Sequence, residues 1–369
     1  MPSLLRGDSH STEKAEQAKE RLLEVNLTEG PQGFDLPEWQ ALLDGDPFRH
    51  IFATPEWSRV WWEEFGKDPA GTKRLLVLTF LDPDPIGLAP LVLDPMGPDP
   101  SGGTLSFLGG DDLTDYMGPI SLGHERQPAI AEALLTYALE RIPGWSCFDA
   151  RCLPVPFGFA EWLVEAADRL GLPFKVDEHE MTAVLALPDS FDAYLQQLGN
   201  RRRHELRRKL RRFDEAAPGA QVTAARPETL DADLESFFEL HRRSQGEKGR
   251  FMGPERAGFF ARIARTFEPL GWLSLDFLEV DGVRVAATFS FVYSGVFYLY
   301  NSAFDASWGA QSPGIVLVVR LIRRAIEQGI RRFDFLRGTE RYKFDLGAER
   351  LPLHAVQIAC PPGSDSPGD

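Results

Sequence analysis

Reactive sulfur is scarce in this chain. Three cysteines, Cys147, Cys152 and Cys360, are spread over 369 residues. They are too few and too irregularly spaced for a disulfide framework or a zinc site. The seven histidines are dispersed, so no metal is expected. No stretch approaches the roughly 18 apolar residues that a transmembrane helix needs. Met1 to Glu20 is polar and has no apolar segment of the kind a secretory signal carries. Positive charge is also in deficit. A net charge of −15 argues against bulk binding to nucleic acid or to an anionic membrane. There is no Gly-x-Ser-x-Gly elbow and no Walker-type Gly-Lys-Ser/Thr loop. These absences predict an acidic, soluble, cytoplasmic globular protein without a transmembrane span.

Apolar residues make up 43% of the chain, enough for a sizeable core in two domains or one large one. Residues 1–30 are polar and are expected to form a flexible tail. Residues 361–369, rich in Pro, Gly, Ser and Asp, are expected to be disordered. Between these tails the pattern divides at 178/179 into two halves, 31–178 and 179–360. Strands are expected at 74–81, 86–93, 104–108, 116–122, 145–152, 181–187, 272–280, 283–293, 296–302, 330–336 and 351–360. Helices are expected over 37–65 in two pieces, and at 128–141, 191–216, 230–244, 256–267 and 313–328. Asp281-Gly282 between two strand patterns is a hairpin signal. The fold class is α/β (α+β).

The two halves share a register. Pro128-Ala-Ile130 recurs 185 residues later as Pro313-Gly-Ile315. Gly144, Phe148 and Asp149 recur at the same offset as Gly329, Phe333 and Asp334. Helix start, helix stop and the following Phe-Asp therefore repeat without a gap, which suggests a tandem duplication.

The richest stretch runs from Tyr298 to Asp345. It reads as strand, Gly-containing loop, largely apolar helix, strand and polar loop. Gly309, Gln311, Ser312, Gly314 and Ile315 bring free backbone N–H groups to the start of the helix. Such an end suits a phosphate-bearing ligand, with the helix dipole contributing roughly 1 kcal/mol. The same glycines equally suit a tight strand-to-helix turn. Beyond the next strand, Glu340 can act as a general base, Tyr342 as a proton donor, and Lys343 as a partner for phosphate or oxyanion. A solvated loop with a surface Glu-Lys pair fits the same residues. Asp115, Tyr116, Tyr298, Tyr300, Asn301, Asp305 and Asp334 lie at or near predicted strand ends, where function concentrates. Residues 201–212 hold eight Lys/Arg and one Glu, with Leu206 and Leu210 on an apolar face. Arg201 and Arg202 open this basic helix, which is either an anion site or a solvated face.

The residues resemble a known family. The element order over 272–336 is similar to the core of GNAT acyltransferases. Ala303-Phe304-Asp305, Ser312-Pro313-Gly314, Phe333-Asp334, Gly338, Glu340 and Tyr342-Lys343 resemble the FemAB-like, cellulose-biosynthesis (CelD)-type branch. The Arg-rich helix fits that branch too. In the first half, Pro55-Glu-Trp57, Ile86-Gly87 with Pro90-Leu91, and Leu108-Gly109 with Asp115-Tyr116 also fit. The resemblance implies tandem GNAT-like domains, each a mixed, mostly antiparallel sheet flanked by helices. It implies transfer of an acyl group, most readily acetyl from acyl-CoA, to an amine of a small molecule, sugar or cell-envelope precursor. A FemX-type alternative takes an aminoacyl group from tRNA, bound along 201–212, to a peptide or cell-wall precursor. A third reading is a non-catalytic GNAT-like polysaccharide-assembly protein.

On the acyltransferase reading, Gln311, Ser312, Gly314 and Ile315 hold the donor, and Asp305, Glu340, Tyr342 and Lys343 form the reacting end. Asp115, Tyr116, Tyr298, Tyr300, Asn301, Asp334, Arg201 and Arg202 face substrate. The family's acetyl-CoA signature, Gln/Arg-x-x-Gly-x-Gly/Ala, is not intact, because the loop reads Trp308-Gly-Ala-Gln-Ser-Pro-Gly314. The first half has no Gly-rich loop at Gln127-Pro128-Ala129 and is expected to bind no donor.

Overall fold

The structure is a computed structural model that describes residues 23–66, 71–95, 102–110, 112–243 and 251–360. Residues 1–22 of the tail expected at 1–30, the tail at 361–369 and the end of the helix expected to reach Ser244 lie outside the described residues.

Apolar runs with buried side chains form the strands of the first half. These are β1 (Glu24–Glu29), β2 (Arg74–Asp82), β3 (Asp84–Asp94), β4 (Gly103–Phe107), the short β5 (Ile120–Ser121) and β6 (Trp145–Pro154). Strand β7 (Phe174–Ala186) bridges to the second half, which contributes β8 (Gln221–Ala224), β9 (Leu273–Val280), β10 (Val283–Tyr293), β11 (Val296–Phe304), β12 (Arg332–Arg337) and β13 (Glu349–Ala359). All belong to one 13-stranded sheet, mixed but mostly antiparallel. Its order is β1-β2-β3-β4-β6-β13-β7-β12-β11-β10-β9-β8, with β5 against β3. The Asp281-Gly282 hairpin is present. Both turn residues have positive φ, 49° and 79°, the backbone twist that two-residue hairpins favour.

Helices flank the sheet: α1 (Pro37–Gly45), α2 (Pro55–Phe65), α3 (Gln127–Arg141), α4 (Phe159–Arg169), α5 (Phe191–Gln197), α6 (Gly199–Ala216), α7 (Leu230–Arg242), α8 (Pro254–Phe267), α9 (Pro313–Glu327) and the short α10 (Arg341–Asp345). Thr54 caps α2 by accepting the Trp57 N–H at 3.3 Å, and Pro55 occupies the first turn. The helix expected without interruption over 191–216 is broken at Gly199, whose φ of 68° no helix interior adopts.

The repeat is visible as geometry. β4 and β6 are parallel neighbours joined through α3, and β11 and β12 are parallel neighbours joined through α9. The terminal strands are exchanged between the halves. β7, which follows the first half, pairs with β12, while β13, which ends the second, pairs with β6. The two exchanged strands pair with each other. One apolar cluster accordingly joins Leu75 and Leu91 of the first half to Phe259, Phe289, Leu353 and Val356 of the second. A second cluster fills the opposite face of the second half around Leu206, Leu317 and Phe333.

Three expectations change. Residues 24–29, read as tail, form β1, because Val25 and Leu27 pack against the first core while the strand pairs with β2. The 178/179 division falls inside β7, which is continuous. The strand expected at 116–122 reduces to Ile120–Ser121, since Tyr116 and Met117 turn into the core instead.

Shared strands predict shared unfolding. Leu353 is fully buried on β13, opposite Pro154 of β6 and Glu180 of β7. Leu353→Ala should cost about 2–5 kcal/mol. Tryptophan fluorescence and far-UV circular dichroism should then follow one coincident urea transition, shifted to lower denaturant. Two separated transitions would contradict a single cooperative sheet.

Candidate active site

Strands β11 and β12 pair only at Val296↔Arg332, Phe297↔Phe333 and Tyr298↔Asp334, and then diverge. Each strand carries an irregularity at the point of divergence. The register of β11 on β10 jumps from Asn301 to Leu299, leaving Tyr300 as an extra residue. The register of β12 on β7 jumps between Asp334 and Arg337, around Leu336 at φ 58°. Bulges bend and twist strands, and two of them back to back open a V.

Asp334 holds the β12 bulge. Its Oδ1 accepts the Leu336 N–H at 2.9 Å, and its Oδ2 accepts the Tyr116 hydroxyl at 2.9 Å. The carboxyl is completely enclosed, and burial pushes its pKa up to about 6 against the opposing charge of Arg332. Tyr116 is itself buried beside Asp334, which drives its phenol pKa far upward. Both residues were expected to face substrate; instead they hold backbone and join the halves. Tyr298 is likewise enclosed in the core, with its phenol pKa raised by burial.

A cavity of ≈260 Å³ fills the V. Leu299, Tyr300, Asn301 and Ser302 line it from β11, Phe335 and Arg337 from β12, and Glu340, Tyr342 and Lys343 from the following turn. His241 and Phe251 cover it from the α7 side. An amide oxygen only accepts, so His241 Nε2 donates to Asn301 Oδ1 at 2.7 Å. The cavity continues into a second space of ≈440 Å³ that shares Tyr300, Asn301, Arg337 and Glu340 and adds Asp112, Asp115 and Glu180. Asp115 is paired with Arg337; burial raises its carboxyl pKa, and the guanidinium opposes that shift. Tyr300 donates its hydroxyl to the Leu113 carbonyl at 2.8 Å, and burial drives its phenol pKa far upward.

On its other side Tyr342 also lines a third space of ≈100 Å³. Arg201, Arg202 and Lys209 of α6, Ile315 of α9 and Arg341 of α10 surround it, with Glu205 and Asp345 as the opposing charges. The first hydrogen bond of α9 runs from the Val316 N–H to the Ser312 carbonyl at 3.1 Å. Gly314 and Ile315, after Pro313, therefore present N–H groups that the helix ladder does not use. Ser312 sits at φ 56° and makes no side-chain cap. These donors beside four cations fit a polyanion such as a pyrophosphate. Gln311 lies at the end of the preceding short turn, and its Oε1 is buried without a partner. Among the described residues, no group of three His, Cys, Asp or Glu is placed to hold a metal ion, and no helix is long and apolar enough to cross a membrane.

Two expected reacting groups have other roles. Asp305 caps the turn 306–311, accepting the Ser307 N–H at 2.8 Å and its hydroxyl at 2.7 Å. These bonds lower the Asp305 pKa. Lys343 is only 3% exposed. Its ammonium meets the carbonyls of Leu336, Arg337 and Gly338 at 3.3, 2.5 and 3.4 Å, and Glu340 Oε2 at 3.0 Å. Three donors facing four acceptors leave none for an incoming phosphate. Lys343 instead fixes the turn that carries Glu340, whose side chain is 49% exposed. Glu340 lines both larger cavities. Burial raises the Tyr342 phenol, so its O–H stays available as a donor at neutral pH.

His241, Phe251 and Arg337 were not anticipated. His241 falls on the apolar face of α7, seven residues after Leu234 and four after Phe237. A histidine at a core position of an amphipathic helix is the signal that was available.

Residues 200–344 match the family model described as an acetyltransferase (GNAT) domain. Among curated proteins none matches. Two solved structures share the fold over most of the chain. The crystal structure of FemX is 14% identical, covers 90% of this chain and 96% of its own, and has a TM-score of 0.63. A conserved protein of unknown function from Bacteroides thetaiotaomicron is 14% identical, covers 88% of this chain and 97% of its own, and has a TM-score of 0.55.

The Asp334 environment makes stability depend on pH with a definite sign. A carboxyl raised from its ordinary 3.8 to about 6 stabilises the fold fully below pH 3.8, and that contribution is lost as pH rises through 6. Asp334→Asn stays neutral throughout. Relative to the parent, it should gain on the order of 2 kcal/mol between pH 4 and pH 7.5. Urea midpoints at the two pH values measure this, and a constant difference would refute the assignment.

Proposed function

From the match of residues 200–344 to the acetyltransferase (GNAT) domain model, we propose that the protein is an N-acyltransferase whose donor is an acyl-CoA, acetyl-CoA foremost. The observation that carries this reading is the placement of Tyr342, which lines both the basic space at the start of α9 and the V between β11 and β12. The donor's phosphates lie against the Gly314 and Ile315 N–H groups, with Arg201, Arg202, Lys209 and Arg341 around them. The acyl end passes Tyr342 into the V. There the inner edge of β11 beyond Tyr298 has no β12 partner, so its backbone N–H groups can meet the carbonyl oxygen.

The amine enters from the opposite side, where Asp112, Asp115, Glu180 and Glu340 line the wider space. Glu340, oriented by Lys343, takes the ammonium proton. The free amine attacks the acyl carbon, a C–N bond forms and the C–S bond breaks. Tyr342 stands beside the departing sulfur as a proton donor. His241, fixed by Asn301, positions the amine in the V. The acceptor class is an amine of a small molecule, sugar or cell-envelope precursor.

A second reading replaces acyl-CoA with aminoacyl-tRNA. The exposed basic face of α6, including Arg207, Arg211 and Arg212, extends beyond what a pyrophosphate needs. Binding of that donor would weaken steeply with salt, because each released counterion adds to the slope.

Calorimetry with acetyl-CoA should give saturable binding that Arg201→Ala with Arg202→Ala weakens about tenfold, a loss near 1.4 kcal/mol. Glu340→Gln should leave donor affinity intact and cut turnover about 10²–10⁴-fold, the range for a lost general base. Absence of any acetyl-CoA binding, alongside steeply salt-dependent binding of charged tRNA, would favour the second reading.

A further inference from the structure

Strand β7 has neighbours on both sides only along its second part. From Thr182 to Val184 it lies between β12 and β13, whereas from Phe174 to Glu180 it pairs with β13 alone. β12 leaves at Arg337, opposite Thr182, and the next N–H, that of Gly338, bonds to the Met181 carbonyl at 3.0 Å. Among the described residues no strand covers the other edge of Phe174–Glu180. Phe174 and Val176 are 41% and 42% exposed, and Lys175, Asp177, Glu178 and Glu180 are exposed as well. Proteins commonly protect such edges with Lys, Pro or a covering loop. Here the single lysine, Lys175, is tied to Asp177 at 2.5 Å.

This edge is continuous with the acceptor side of the V, because Glu180 at its end lines the space shared with Asp115 and Glu340. Its charge favours one kind of occupant. A second copy pairing antiparallel about Asp177 would set Asp177 against Asp177, which is unfavourable across a strand pair. A basic chain meets three carboxylates instead.

We infer that Phe174–Glu180 docks an extended, lysine-rich polypeptide segment as an added strand and presents one of its amines to Glu340 as the acyl acceptor. Main-chain hydrogen bonds supply affinity, and alternate side chains supply specificity. The acceptor step rests on the activity proposed above. The lysine side-chain nitrogen forms the amide bond and the C–S bond of the donor breaks; Glu340 takes the ammonium proton, Tyr342 protonates the departing thiolate, and the proton left on the new amide nitrogen restores the Tyr342 phenol. Docking itself needs no donor.

The test uses the full chain and two fluorescein-labelled octapeptides, one alternating Lys and Val, the other alternating Lys and Pro. Fluorescence anisotropy without donor should show the Lys-Val peptide binding at least tenfold tighter, since proline cannot donate to a ladder. Asp177→Lys with Glu178→Lys should weaken the Lys-Val peptide about tenfold and leave acetyl-CoA affinity unchanged. With acetyl-CoA present, mass spectrometry should find an acetyl group on the Lys-Val peptide. Equal binding of the two peptides, no binding, or indifference to the charge reversal overturns the inference. So does a dimer in sedimentation that Val176→Lys dissociates. Peptide docking in a protein without acetyl-CoA affinity would uphold the edge and remove the activity.

Discussion

The divergence of β11 and β12 depends on one buried carboxylate. Asp334 spans the bulge with one oxygen and reaches the first half with the other. A non-glycine residue in the left-handed region costs roughly 1–2 kcal/mol, and a hydrogen bond to a carboxylate contributes about the same. The strain at Leu336 is therefore offset where it arises. Because the second oxygen accepts the Tyr116 hydroxyl hydrogen bond, opening of the cleft and docking of the halves are tied to one side chain. Arg337, one turn of the bulge later, repeats the connection through Asp115.

The first half shows what that link replaced. Its own bulge carries Cys152 at φ 53°, 185 residues before Arg337, and Arg337 Nη1 lies 3.7 Å from Cys152 Sγ. In the first half, however, the space beside β6 is taken by its own chain. The Met117 N–H bonds to the Cys152 carbonyl at 3.0 Å, and Tyr116 continues into the second half. The buried Gln127 and Asp46 lie near the start of α3, where the start of α9 has arginines. Burial raises the Asp46 pKa. One copy of the repeat has thus become the wall of the other.

What was legible in the sequence follows from how local each signal is. Asp281-Gly282, the Pro313 start and Gly329 stop of α9, and the 185-residue register are local and survived intact. The exchange of β7 and β13 was not legible, because strand partners are set by packing far along the chain and both strands read simply as β. Tyr342 and Glu340 were singled out because a polar loop after a strand is a recognisable place, and both line the cavity. Lys343, three residues from Glu340, was read as a partner for phosphate or oxyanion, although its side chain turns inward to three carbonyls. Periodicity assigns a face, and it does not reveal that a buried ammonium has found acceptors. His241 was not singled out at all: it falls on the apolar face of α7, and the core there is the lining of a cavity.

Charge is the last element that the whole-chain view obscures. Exposed charges more than about 8 Å apart are largely screened at physiological salt, so a net −15 says little about any one mouth. The path through the V is polarised along its length. Arg201, Arg202, Lys209 and Arg341 surround one end, and Asp112, Asp115, Glu180 and Glu340 line the other. Tyr342 stands between the basic mouth and the V as a neutral phenol, and burial raises its pKa further. On the reading proposed above, an anionic donor and a cationic amine would each favour a different end and would meet in the gap between β11 and β12. The basic helix that looks anomalous in an acidic chain is one pole of that field, and the acidic remainder supplies the other.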